Sequence, residues 1–341
     1  MRLAALALCV ALAACASRRR ANDPAPTEAA SAADAAAAAA PVLVSQSTVP
    51  VSTAVTAPEH PPEAAAAARK PASKAPAAGK PVAAKKREWG QIEITTAIIS
   101  PAQLIGPSVP YSPEYLPLPA FPEKLTFAMS WGLVAVGEAT LAVDKIVMFN
   151  GRPAYHIVSE AKSNSFCDTF YRVRDLNESW LDARTLTSLG YSKKVREGHF
   201  FRDEWVLYDR DAGTFVNRRM HKDGTFNVKT GTIPAQVQDI LSSIYYVRVQ
   251  KLEDGGEVRV NVNTPDNWPL RIKVMKREKA RVPSGRFDAV LVEPAMIREG
   301  IFVQKGKRLR LWFSDDPKRR LLMMKADVFF GSVTGALREM L

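Results

Sequence analysis

The chain has 341 residues, a formal net charge of +12 and three cysteines. No Phe, Trp or Tyr occurs from residue 16 to residue 87, so that stretch cannot build a packed core. Three scattered cysteines exclude a disulfide-dense scaffold and offer no paired zinc-ligand spacing.

After Arg2, the apolar run Leu3 to Ala14 is shorter than the ~20 residues a membrane-spanning helix needs. It reads as a signal peptide over residues 1–14. The stretch at its end, Leu12-Ala13-Ala14-Cys15, resembles the lipobox of bacterial lipoproteins. There the cysteine thiol receives a diacylglyceryl group and the signal is cut just before it. Cys15 is therefore the expected lipidation site, and several acyl chains on one residue hold a protein to a bilayer far more firmly than one. Ala16, where some lipoproteins carry an Asp that retains them at the inner membrane, points to the outer membrane with the domain facing the periplasm. The inner membrane and the cell surface stay open as alternatives.

Residues 15–87 are dominated by Ala, Pro, Ser, Thr and Lys and read as a disordered tether. A coil of ~70 residues spans ~45–50 Å on average. Residues 88–120 carry Pro101, Pro107, Pro110, Pro113, Pro117 and Pro119 and read as an extended lead-in on the domain surface, outside the core.

From residue 121 to 341 the period becomes two. In "KLTFAMSWG", Leu125, Phe127, Met129 and Trp131 share one face, as a half-buried strand requires. A second strand, Glu138 to Val147, is joined to a third by Asn150-Gly151, a hairpin signal. Further strands follow at short spacing, with a turn at Asp211-Ala212-Gly213. One segment differs: Val237, Ile240, Leu241, Ile244, Tyr245 and Arg248 recur at helical spacing, which predicts a helix from about Pro234 to Leu252. The fold class is mainly β, a long antiparallel meander forming a half-barrel or barrel, with one helix in the series; that the sheet wraps around this helix is what the family resemblance below implies.

Several blocks fall in the order of a known family. "EKLTFAMSWGLVAVGEATLAV", "FYRVRDLNESWLD", "VQDILSSIYYVR", "SGRFDAVLVEP" and "LRLWFSDDPKRRLLMMKADVFFGSVTGAL" together resemble the bacterial envelope family called domain of unknown function 3108, from about Phe121 to Leu341. The resemblance implies a sheet wrapped round a helix and an envelope location, and it implies no reaction.

Motifs for catalysis are sparse. His156, His199 and His221 are far apart and no HExxH, G-x-S-x-G or Walker loop appears, so no metal, cofactor or catalytic residue is expected. Cys167 beside Phe166 and Phe170 reads as a small buried hydrophobe, with a nucleophile paired to His156 as the alternative. Asp175, Glu178, Asp315 and Asp316 are the carboxylates a hydrolase of envelope polysaccharide would draw on, and ion pairs and turns explain them as well.

The expectation that remains is binding. Phe127, Met129, Trp131, Ile244 and Tyr245 would line an apolar groove, with Arg172, Arg174, Arg248 and Arg310 at its rim meeting an acidic head group. The expected function is a non-enzymatic outer-membrane lipoprotein that binds a lipid or lipidated glycan in envelope transport or assembly. A scaffold docking an envelope protein or cell-wall polymer through its basic surface is the alternative. An exported chain meets anionic lipids and glycans rather than nucleic acid.

Overall fold

A computed structural model describes residues 100–341 except 265, 297–307 and 329–330. The expected signal peptide, Cys15, the tether and residues 88–99 lie outside the described residues.

Sixteen strands form one sheet. In chain order they are β1 (Ile105–Val109), β2 (Glu123–Trp131), β3 (Val134–Phe149), β4 (Arg152–Ser163), β5 (Arg174–Asp182), β6 (Ser188–Glu197), β7 (Phe200–Asp209) and β8 (Thr214–Met220). There follow β9 (Phe226–Thr232), β10 (Val237–Gln238), β11 (Glu257–Asn263), β12 (Asn267–Val282), β13 (Gly285–Met296), β14 (Leu309–Ser314), β15 (Leu321–Asp327) and β16 (Ser332–Met340). Three helices are present among the described residues: α1 (Pro101–Leu104), α2 (Ser165–Asp168) and α3 (Ile240–Arg248). The spatial order runs from β10 through β16 in sequence, then from β2 to β9, with β1 added beside β3. The last strand thus pairs with β2, Leu337 opposite Phe127, and joins the two halves of the meander. β9 and β10 are the sheet's two edges, so the barrel is not closed.

Alternation sets the inner face. Leu125, Phe127 and Met129 of β2 are buried together with Leu141 and Val143 of β3 and Tyr155 and Ile157 of β4. Trp131, at the strand's end, is half-buried. The expected turn at Asn150-Gly151 is present, both residues taking positive φ as a tight hairpin requires.

The helix is shorter than its period predicts. Val237 and Gln238 pair parallel to Asn261 and Val262 of β11, the one parallel pairing among the described strands. Asp239 then caps α3 from an extended backbone, its carboxylate accepting from the amides of Leu241 and Ser242. A helical period that starts at residue 234 is overridden because these two residues gain a ladder with β11 that a helix would forfeit.

The lead-in also departs from expectation. Beyond residue 100 it supplies α1 and β1, and Tyr115 and Leu118 enter the main core. The Leu116 amide donates to the Ala183 carbonyl at 2.8 Å, and the Tyr155 hydroxyl to the Leu116 carbonyl at 3.0 Å. Prolines withhold donors, but the side chains between them still carry apolar surface that is stabilised by burial at the barrel's end. Leu104 packs on a second cluster, on the outer face of the sheet, where the Phe149 and Trp180 rings stack at 4.6 Å.

Candidate functional site

The helix occupies the space in which an acyl groove was expected. α3 packs against β4, β5, β10 and β11 and buries Ile240, Leu241, Ile244, Tyr245 and Val247. Both of its ends are held by charges. At the N-terminus, Asp239 accepts from Ser179 Oγ of β5 at 2.6 Å and from Ser188 Oγ of β6. At the C-terminus, Arg248 forms a bidentate pair with Glu123 of β2 and donates to the carbonyls of Pro119 and Lys318, each at 2.9 Å. Phe127, Met129, Ile244 and Tyr245 are therefore residues of one core cluster, and Arg248 is held inside by both terminal nitrogens while its Nε is buried without an acceptor.

The other rim residues are dispersed. Arg174 pairs with Asp168 of α2 at 2.6 Å, Arg310 with Asp327 at 3.2 Å, and Arg172 is exposed on the connection between α2 and β5. The carboxylates are equally separated. Glu178 meets His156 at 3.1 Å, Asp315 meets Arg277 at 2.9 Å, and Asp316 accepts from amides in its own turn. Cys167 is buried in α2, which pushes its thiol up, with the Asp168 charge adding to the effect.

The inner face changes character at β5 to β8. There, where β2–β4 present Leu and Phe, the strands present Asp175, Asn177, Lys193, Arg202, Glu204, Asn217 and Arg219. The register sets Lys193 opposite Glu204 and Glu204 opposite Arg219, so three strands carry one charged row. Lys193 Nζ lies 3.1 Å from Glu204 Oε2, Arg202 Nη1 lies 3.7 Å from the same oxygen, and Arg219 Nη2 lies 3.0 Å from Oε1. The side chains of Lys193 and Glu204 are each 2% exposed.

This row is electrostatically uneven. Burial pushes Glu204 up, but Lys193, Arg219 and Arg202 together outweigh it and bring its carboxyl down to about 2. One ionised carboxylate therefore faces three cations. Burial pushes Lys193 down, against the pull of Glu204. Beside the row, Asn177 is wholly buried and its Nδ2 finds no acceptor, while its Oδ1 accepts from Tyr191. A buried amide donor left unmade costs about 1–3 kcal/mol.

The row lies next to the unclosed seam. Asn267 Nδ2 donates to the Thr232 carbonyl at 2.8 Å, Tyr208 to the Asn263 carbonyl at 2.9 Å, and Lys229 pairs with Asp266. These bridges tie β9, through Thr232 and Lys229, and β7, through Tyr208, to the β11–β12 hairpin. Arg219 is opposite Asn227, above the last of them, and keeps 31% of its side chain exposed. On the outer face of the same strands a cleft of about 200 Å3 is lined by residues 192–194 and 203–205 with Arg218 and Met220. Arg218 sits 4.0 Å from the Phe226 ring and Arg196 4.0 Å from the Phe201 ring.

Alternating strands gave the faces, but which half of the inner face is polar needed the register between strands far apart in sequence. Lys193 and Glu204 carry no motif; the only sequence signal was charge at inward parity in strands otherwise alternating apolar, "YSKKVRE" and "RDEWVLY".

Together these features define a mainly β, barrel-like domain, unclosed, with a helix in its interior and a basic row beside its seam. The chain belongs to the family described as protein of unknown function (DUF3108), whose model matches residues 126–338. Among solved structures it is similar to a beta-barrel-like protein of domain of unknown function DUF1849 from Brucella abortus, at 9% identity and a TM-score of 0.47, over 66% of this chain and 98% of that one. No curated protein matches the chain.

Proposed function

We propose that the protein is a non-enzymatic lipoprotein of the bacterial envelope, anchored through Cys15 at the outer membrane and facing the periplasm. Its β domain binds the anionic head group of a lipid or lipidated glycan in envelope transport or assembly. The observation that carries this reading is the row of Lys193, Arg202 and Arg219 around the single carboxylate of Glu204, beside an open seam. A phosphate entering there would meet two cations in excess of the carboxylate, and charge-assisted bonds of this kind contribute about 1.5–3 kcal/mol each. With α3 filling the apolar half of the interior, recognition falls on the head group rather than on the acyl chains. The outer cleft, with its Arg–Phe pairs, favours a second reading in which an anionic cell-wall polymer docks on the outside of the same strands.

Native mass spectrometry of the full chain, offered phosphatidylglycerol or lipopolysaccharide, separates these. Wild-type protein is expected to retain one of the two, and Arg219→Ala to weaken that retention at least tenfold. A mass unchanged by either lipid overturns the head-group reading.

A further inference from the structure

One end of the barrel gathers its exposed apolar side chains. Eleven large hydrophobic residues are exposed among the described residues, and six of them, Leu133, Val134, Phe166, Phe170, Phe200 and Phe226, stand at the tips joining β2 to β3, β4 to β5, β6 to β7 and β8 to β9. Of the others, Ile105, Tyr111 and Leu116 belong to the lead-in, Met275 to a wall strand, and Leu341 is the last residue. The four tips are neighbours. Asn164 donates its amide to the Val136 carbonyl at 3.0 Å, Gly198 donates to the Arg172 carbonyl at 2.8 Å, and Lys222 Nζ donates to the His199 carbonyl.

Leu133 is the extreme case. It follows Gly132 in a two-residue hairpin turn, a position where polar turn residues are the rule, and its side chain is fully exposed at 103% of the reference value. Phe166 and Phe170 pair edge to face at 5.4 Å and remain 65% and 58% exposed. Single exposed apolar residues need no explanation, but neighbouring ones at adjoining tips do.

Charge narrows what covers them. Among the described residues, the carboxylates nearest the tips are committed: Asp168 to Arg174, Asp203 to Arg196, Asp266 to Lys229, and Asp223 to its own turn at Thr225, while Glu160, on the wall in the row of Asp203, is exposed and enters no ion pair. Arg172 and Lys222 are exposed cations that enter no ion pair among the described residues, and His199 and His221 are exposed beside them. The end is thus apolar at its tips and positive between them, the complement of an anionic bilayer surface, where apolar side chains enter the acyl boundary and cations meet phosphates. Nor is this the end at which the chain enters: β1 joins β3 at Ile146–Phe149, and the Asn150 amide donates to the Leu104 carbonyl, at the opposite end.

We propose that the tips carrying Leu133, Val134, Phe166, Phe170, Phe200 and Phe226 form a docking face that inserts into the surface of an anionic lipid bilayer. It goes beyond the head-group reading and uses different residues, so either stands if the other falls.

A local probe tests this whatever anchors the chain. In the full chain with Cys9→Ser and Cys15→Ser, a polarity-sensitive fluorophore is attached at Leu133→Cys or, as control, at Met275→Cys; Cys167 is buried and left unlabelled. With vesicles of phosphatidylglycerol and phosphatidylethanolamine, the label at 133 is expected to shift to the blue and be quenched by nitroxides in the acyl region, while the label at 275 is unaffected. Vesicles of phosphatidylcholine alone should give a several-fold weaker response, and so should Phe166→Ser with Phe170→Ser. Equal behaviour of the two labels overturns the proposal. A blue shift at 133 that grows with protein concentration without lipid also overturns it, because a second copy then covers the face.

Discussion

Glu197 ends β6 on the inner face next to Asp175 of β5, and both are buried. Asp175 accepts the Arg196 amide at 2.8 Å, and Tyr171 reaches Glu197 Oε2 at 3.4 Å, which does not offset the loss of water around two adjacent carboxyls. Burial, then the Asp175 charge, raises Glu197 from the ordinary 4.5 to about 8. Burial raises Asp175 to about 6. Because both are raised, the folded protein holds protons that the unfolded chain has released. Their contribution to stability is complete below about pH 4 and is lost as pH rises through 6 and then 8. At 1.36 kcal/mol per pKa unit, the pair together accounts for a loss on the order of 4 kcal/mol or more between about pH 5 and about pH 9. Glu197→Gln keeps the shape and removes the charge, so it should abolish most of that slope and be more stable than wild type at the alkaline end. Urea unfolding followed by tryptophan fluorescence across this range measures it. A wild-type stability that is flat or rising across the window, or an unchanged slope in Glu197→Gln, refutes the reasoning.

Other perturbations have distinct signatures. Arg248→Met strands Glu123 without its partner in the core and should cost about 3–5 kcal/mol of unfolding free energy by urea titration, whereas pairing it with Glu123→Leu should recover much of the loss. Asp239→Ala removes the cap of α3 and the acceptor shared by Ser179 and Ser188, and a loss of about 2 kcal/mol or more is expected by the same titration. Lys193→Met should release the Glu204 carboxyl from the cation that lowers it most; chemical-shift titration of Glu204 is then expected to show its pKa rising from about 2 toward the ordinary carboxylate range. Thiol reagents should modify Cys167 slowly at neutral pH and rapidly only after unfolding, because burial keeps both the sulfur and its proton in place.

Local chemistry made much of the domain legible. Strict alternation in "KLTFAMSWG" placed Leu125, Phe127 and Met129 on one buried face, since a strand turns successive side chains to opposite sides whatever it pairs with. Asn150-Gly151 announced its turn because few other residues accept positive φ twice in succession. The mainly β class, the presence of a helix around residues 240–248 and the family blocks follow from such short-range rules, whereas the helix's length does not.

What those rules could not decide lies in partners distant along the chain. The helical period around residue 240 says that one face is buried, but only packing shows that α3 fills the interior and that Arg248 is consumed by Glu123, 125 residues away. The register of β5 to β8 decides that Lys193, Arg202 and Arg219 converge on Glu204, because pairing between strands depends on where each hairpin closes. Likewise, Leu133, Phe166, Phe200 and Phe226 look like ordinary strand-end residues until the curl of the sheet sets their tips side by side. Sequence determined which residues point in or out along each strand; tertiary structure alone determined which of them meet, because contact between separate strands is a property of the assembled sheet and of no segment within it.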